Sequence, residues 1–185
     1  MTQANLLYAH SGGVTAVINA TAAAVIGAAR ACPDRIGKVF AARHGILGAL
    51  AEDLVDTACL DDAALQRLSL RPGGVFGSCR FDLPRNDGKR VMDRLFEVFA
   101  AHQIGYFLYN GGNGSMDAVA RMSDAAAERG YPLVCVGVPK TVDNDIVGTD
   151  CCPGFGSAAK YLATSMLEAG LDIASMVGSR GSVFV

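Results

Sequence analysis

Two short apolar runs constrain this chain more than any other feature. Ile104-Gly105-Tyr106-Phe107-Leu108-Tyr109 and Pro132-Leu133-Val134-Cys135-Val136-Gly137-Val138 are almost unbroken by polar residues. Neither alternates apolar with polar, so neither reads as a strand with one wet face. Such runs mark strands covered on both sides, the habit of parallel sheets. Parallel neighbours need long crossovers, and the remaining sequence supplies helices for them. Residues 14–30 are Ala-rich and free of proline, a good helix. In residues 88–102, Val91, Leu95, Val98 and Phe99 follow the 3.6-residue period of an amphipathic helix. Residues 116–129, closed by Gly130, and residues 157–170 read as two more. Asp61 and Asp62 cap a short helix over 63–68. Leu6-Leu7-Tyr8-Ala9 and Lys38-Val39-Phe40-Ala41-Ala42 read as further strands. The expected fold is α/β: a doubly wound, mostly parallel sheet with helices on both faces.

Right-handed crossovers place every strand-to-helix loop at one sheet edge, where open α/β sheets bind their ligands. Three loops of unusual composition share that edge: Ser11-Gly12-Gly13, Asn110-Gly111-Gly112-Asn113-Gly114-Ser115, and Pro139-Lys140-Thr141-Val142-Asp143-Asn144-Asp145. Glycine makes up 22 of the 185 residues, against roughly 7% in an average chain, and it clusters in such loops. A loop without Cβ atoms lets a phosphate approach the backbone N–H groups at a helix start. Gly12, Gly13, Gly112, Gly114 and Ser115 are therefore expected to hold phosphate. Neither glycine loop has the GK[ST] ending of a P-loop or the GxGxxG dinucleotide pattern.

The third loop carries a lysine and two carboxylates at a strand end, where packing has no use for them. Beside two phosphate loops these groups suit phosphoryl transfer. Lys140 would neutralise charge growing on the bridging and leaving oxygens. One aspartate would accept the proton of an attacking hydroxyl. The other would hold Mg²⁺ or orient the acceptor. Arg80, in Gly77-Ser78-Cys79-Arg80, is a candidate phosphate clamp. The plainer readings are a solvated turn capped by Asp143 and Asp145, and a surface arginine. His102 ends a helix and is expected to cap its C-terminus.

Composition removes other classes. With 51% apolar and 18% charged residues, the chain can bury a core and is not disordered. A formal net charge of -2 argues against a basic nucleic-acid surface. No apolar window is long enough to span a membrane. Met1-Thr2-Gln3-Ala4-Asn5 lacks the basic start of a secretory signal, so a cytoplasmic location is expected. None of the six cysteines forms a CxxC pair, and all six are expected to be reduced thiols.

At its loops the sequence resembles the phosphofructokinase family. The resemblance runs in order through Ser11-Gly12-Gly13 with Asn19, Gly77-Ser78-Cys79-Arg80, Gly111-Gly112-Asn113-Gly114-Ser115 and Pro139 to Asp145. The stretch Thr149-Asp150-Cys151-Cys152-Pro153-Gly154-Phe155-Gly156-Ser157-Ala158-Ala159-Lys160-Tyr161 looks most like the pyrophosphate-dependent branch. The resemblance implies transfer of phosphate to the 1-hydroxyl of fructose 6-phosphate. It makes Asp143 the base, has Thr141, Val142 and Asp145 place the sugar, and puts Gly13 and Arg80 on the donor phosphates. It implies Mg²⁺ as cofactor, with Asn113 where many relatives carry a magnesium-binding aspartate; an uncharged amide is the weaker ligand. Donor choice turns on Gly114 and Lys140. Lysine at 140 points to pyrophosphate, while glycine at 114 leaves room for ATP, so ATP is the alternative donor. The family further implies a homo-oligomer, dimer or tetramer, when full length. The NAD and lipid kinases share the glycine loop but lack the Lys140-to-Asp145 segment. A phosphate-binding remnant without catalysis is the third reading. Ser182-Val183-Phe184-Val185 reads as the start of an unfinished strand. Residues 1–185 are thus expected to be a donor-phosphate and catalytic-loop domain cut before a sugar-phosphate domain.

Overall fold

Both apolar runs are neighbouring parallel strands in a computed structural model that describes residues 3–81, 88–176 and 178. The chain runs β1 (Ala4–His10), α1 (Ile18–Arg30), β2 (Ile36–Ala42), α2 (Ile46–Ala51), β3 (Leu54–Asp56), a 3-10 turn (Thr57–Cys59) and α3 (Asp62–Leu70). It continues through α4 (Gly88–Ala101), β4 (Ile104–Gly111), α5 (Asn113–Glu128), β5 (Val134–Pro139) and α6 (Phe155–Ser175). The strand order is β3-β2-β1-β4-β5. β1 pairs in parallel with β2 on one side and β4 on the other, and β4 in parallel with β5. Only β3 is antiparallel, against β2.

Helices cover both faces, as a doubly wound sheet requires. Alternation along β1 sends Leu7 and Ala9 one way and Leu6 and Tyr8 the other. Leu7, Ala9, Phe107 and Tyr109 pack against α2, α4 and α5 through Ile46, Leu95, Phe99 and Met122. Leu6, Tyr8, Val39 and Ala41 pack against α1 and α3 through Ala22, Ile26, Leu65 and Leu68. Small alanines on α1 let that helix lie close to the sheet. Asp61 caps α3, its carboxylate accepting from the Ala64 N–H at 2.6 Å. Gly130 follows α5 in the left-handed region, as a helix-stopping glycine does.

Several expectations need correction. α1 begins at Ile18 rather than near residue 14, and α5 begins at Asn113 rather than Met116. α2 and β3 have no counterpart in the sequence reading. The run 132–138 was expected to be covered on both faces, yet β5 is an edge strand with α5 on one face only. Val134 and Val136 on its other face are 52% and 41% exposed. α6 is a long helix without a single buried residue. His102 does not cap α4: its imidazole Nε2 meets Glu52 Oε2 at 3.0 Å, tying α4 to the end of α2. All six cysteines are free, Cys151 and Cys152 included. No helix among the described residues is long and apolar enough to cross a membrane. The expected strand at Val183 lies outside the described residues.

Candidate active site

The chain leaves β1 toward β2, then returns from β3 across the sheet to β4 on β1's other side. The C-terminal ends of β1 and β4 therefore flank the point where the winding reverses, and a crevice opens there. Backbone bonds stitch its floor. Ser11 N–H donates to Asn110 O at 2.7 Å, and Lys140 N–H donates to Gly111 O at 3.0 Å. The Asn110 amide donates to Val138 O at 2.9 Å.

An open cleft of about 410 Å³ sits above this floor, lined by Gly12, Gly13, Arg80, Gly112, Gly114, Ser115, Lys140, Thr141, Val142 and Asp143. Loops 13, 114 and 143 thus meet in one place, as their shared edge predicts, and the segment carrying Arg80 joins them. Val14, Thr15 and Phe81 also line the cleft and were not singled out from the sequence. Asn113 and Asp145 are not part of the lining. They meet beside it, with the Asn113 amide donating to the Asp145 carbonyl at 3.2 Å.

Glycine is needed at two of these positions. Gly12 has φ +72°, a conformation that L side chains rarely adopt. A Cβ on Gly111 would lie 2.1 Å from Ser115 Oγ, because the first turn of α5 folds back on the strand end. That turn carries no side-chain cap. Ser115 and Met116 N–H donate to Gly112 O, so the N–H groups ahead of them stand at the positive end of the helix without a side-chain cap, the arrangement that binds anions.

Lys140 is the buried cation of the cleft, 3% exposed. Its Nζ donates to Ser11 O at 2.7 Å and Gly13 O at 2.6 Å. Burial pushes its pKa below the ordinary lysine value, and the Arg80 charge pushes the same way, opposed by Asp143. Arg80 is exposed at the rim, and its segment is strapped to the β1 loop. Gly12 N–H donates to Cys79 O at 2.9 Å, and Ser78 Oγ donates to Gly12 O at 2.7 Å. Two cations thus face a helix N-terminus, so the cleft favours a multiply charged anion.

Asp143 supplies the carboxylate on the wall. Its own backbone N–H is fixed by Thr141 Oγ1 at 3.1 Å, and Thr141 bridges to Gly154. Asn144 then turns the chain through φ +54°, which Asn tolerates better than most residues. Its side chain accepts from Cys152 N–H at 2.8 Å and donates to Asp150 O at 3.2 Å. Asn144 therefore holds the shape of the loop, a role the sequence reading did not assign.

The donor set bears on Mg²⁺. No group of three or more His, Cys, Asp or Glu that could hold a metal exists among the described residues. The cleft has one carboxylate, Asp143, and the Asn113 amide nitrogen is turned to a carbonyl. Such a set does not make an all-protein cage. It fits a Mg²⁺ that arrives on phosphate oxygens and takes one carboxylate from the protein.

His10 lies fully buried directly beneath the β1 loop. Its Nδ1 meets Gly77 O at 3.1 Å. Burial holds its pKa down to about 4 from 6.5, with a smaller push from Lys140. The unfolded chain takes up a proton on this histidine below about pH 6.5, whereas the folded chain does so only near pH 4. Stability is therefore lost as pH falls through that window, by about 3 kcal/mol. Urea unfolding at pH 7 and pH 4.5 checks this, and His10→Leu is expected to flatten the dependence.

A model of the family described as Phosphofructokinase matches residues 5–185. The chain is 58% identical to a protein from Xanthomonas campestris pv. campestris named pyrophosphate--fructose 6-phosphate 1-phosphotransferase, covering all of this chain and 44% of that one. The solved pyrophosphate-dependent phosphofructokinase of Marinobacter aquaeolei superimposes with a TM-score of 0.85 at 60% identity, over 94% of this chain and 42% of that one. An ATP-dependent 6-phosphofructokinase of Haemophilus ducreyi is more distant, 31% identical over 80% of this chain. The chain thus spans under half the length of the curated relatives it matches. With the family model covering all but its first residues, this chain belongs to the phosphofructokinase family.

Proposed function

We propose that the protein moves a phosphoryl group from pyrophosphate to the 1-hydroxyl of fructose 6-phosphate, and that this chain supplies the donor-phosphate pocket and the catalytic loop. The observation that carries the reading is the cleft that Asp143 shares with Lys140, Arg80 and the uncapped start of α5. The 58% identity to a relative named for pyrophosphate supports this donor over ATP.

In the proposed step Asp143 accepts the proton of the sugar hydroxyl as its oxygen bonds to the donor phosphorus. The bond to the bridging oxygen breaks, and inorganic phosphate leaves with the electron pair. Lys140, Arg80 and the α5 N–H groups stabilise the charge that collects on the donor oxygens. Thr141 fixes the backbone of Asp143, and Val142 beside it presents an apolar surface to the sugar. Mg²⁺ bound to the donor would neutralise further phosphate charge. A cytoplasmic, homo-oligomeric enzyme acting on small phosphorylated substrates is the setting this reading implies.

The test supplies the intact protein with fructose 6-phosphate, Mg²⁺ and either pyrophosphate or ATP, and measures fructose 1,6-bisphosphate. Turnover is expected with pyrophosphate. Turnover with ATP alone would overturn the donor assignment, Gly114 then being the open door for a nucleotide. Binding of pyrophosphate without turnover under any donor would favour a phosphate-binding module instead.

A further inference from the structure

The donor pocket has two walls from distant parts of the sequence, the β1 loop and the segment ending at Arg80. Something must set the spacing between them. Two of the three straps are already evident: Gly12 N–H to Cys79 O, and Ser78 Oγ to Gly12 O. Both lie above the sheet, at the loop itself.

The third strap comes from beneath. His10 is the last residue of β1, paired with Asn110 of β4 on the sheet side. Its ring leaves the sheet between Tyr8, at a centroid distance of 5.1 Å, and Phe76, at 5.9 Å. From there Nδ1 reaches Gly77 O at 3.1 Å, three residues before Arg80. The backbone around this bond is closely packed. A Cβ on Gly74 would come within 3.5 Å of His10 Nδ1, and one on Gly77 would lie 2.5 Å from His44 Nδ1. Gly45 also closes on His10 O, leaving a Cβ only 2.3 Å. The imidazole thus sits in ordinary contact with Gly74, while Gly77 closes on His44 and Gly45 on the His10 carbonyl. Since Gly77 O only accepts, Nδ1 must carry the hydrogen. Nε2 is then the lone-pair nitrogen, buried beside the Ile18 backbone with no hydrogen bond of good geometry. A fully buried histidine that leaves one nitrogen unsatisfied is an expensive way to fill space. Its hydrogen bond is the property that an apolar residue of similar size would lack.

We infer that His10 is a positioning residue for the donor phosphate: its Nδ1–H to Gly77 O bond fixes Arg80 relative to the Gly12-Gly13 backbone. The imidazole itself touches no substrate. The inference rests on the cleft being a pyrophosphate site, and the experiment separates the two claims.

Asparagine places a donor nitrogen at the same number of bonds from Cα as Nδ1, whereas leucine places a methyl group there. Both lose the ring contacts with Tyr8 and Phe76, so both are expected to lower Tm. In the intact protein, His10→Leu should weaken pyrophosphate binding about five- to ten-fold, the effect of one hydrogen bond. His10→Asn should restore binding to near the wild-type value, and the KM for fructose 6-phosphate should be unchanged in both. Equal pyrophosphate affinity in His10→Leu and wild type overturns the inference, as does equal loss in both variants. Should His10→Leu fail to fold, ¹⁵N NMR of the wild-type protein decides. A neutral imidazole protonated on Nδ1, whose signal moves when pyrophosphate is added, supports the inference, and protonation on Nε2 overturns it. No pyrophosphate binding by the wild type would instead sink the site reading itself.

Discussion

Intact protein carrying Asp143→Asn is expected to lose about 10²–10⁴-fold in kcat, the usual contribution of a positioned general base. Asparagine keeps the size of the side chain and cannot accept the sugar proton. The loop should keep its shape, because Thr141 Oγ1 holds the backbone N–H of residue 143 and Asn144 holds the turn that follows. Pyrophosphate binding should therefore survive, set as it is by Lys140, Arg80 and α5. The check is a pair of measurements: steady-state kcat, and pyrophosphate affinity by calorimetry. A kcat near wild type would remove Asp143 from the chemistry. A matching loss of pyrophosphate affinity would show that it holds the donor's metal rather than the proton.

The second large effect belongs to Lys140→Met. Methionine keeps the length of the buried side chain and removes the charge and both N–H bonds to Ser11 O and Gly13 O. Each charge-assisted bond is worth roughly 1.5–3 kcal/mol, and a buried carbonyl left unpaired costs a comparable amount. Two losses follow from one substitution. Thermal unfolding should report a drop in Tm, because the β1 loop loses its support. The kcat/KM with pyrophosphate should fall by about 10²–10³-fold or more, the range for removing one preorganised donor to developing negative charge. Retained Tm together with retained kcat/KM would show the ammonium to be neither strut nor electrophile. Retained Tm with lost activity would leave it electrostatic alone.

Much of this arrangement is legible in the sequence, and for a physical reason. The central strands are covered on both faces, so residues 6–9 of β1 and 104–109 of β4 are almost all apolar and the runs announce themselves. The loops at their ends must combine tight turns with phosphate-accessible backbone, so glycine collects there. What escapes reading is shorter or depends on distant partners. α2 is six residues and β3 three, fewer than two periods of evidence for either. Ahead of α1, which starts at Ile18, the carbonyls of residues 11 and 13 accept from Lys140, from 127 to 129 residues away, a partner no local pattern contains. The exposure of Val134 and Val136 depends on which helix covers which face of β5, and no local pattern contains that information. His10 looks from the sequence like any strand-end histidine. Only its approach to Gly77 distinguishes it, and 67 residues separate the two.

The middle position of β1 in the strand order has a mechanical meaning. A strand bonded along both edges cannot slide or peel without breaking two ladders at once. The Gly12-Gly13 backbone hangs from its last residue, and the start of α5 hangs from β4 alongside. The proposed phosphate seat is therefore anchored to two strands that are bonded along both edges. The Lys140-to-Gly154 loop leaves β5, the edge strand, and is held at its far side by the Thr141–Gly154 bridge and by Asn144. Compliance in the cleft is thereby one-sided: a donor meets a fixed anvil, and adjustment between the two reacting groups falls to the wall that carries Asp143.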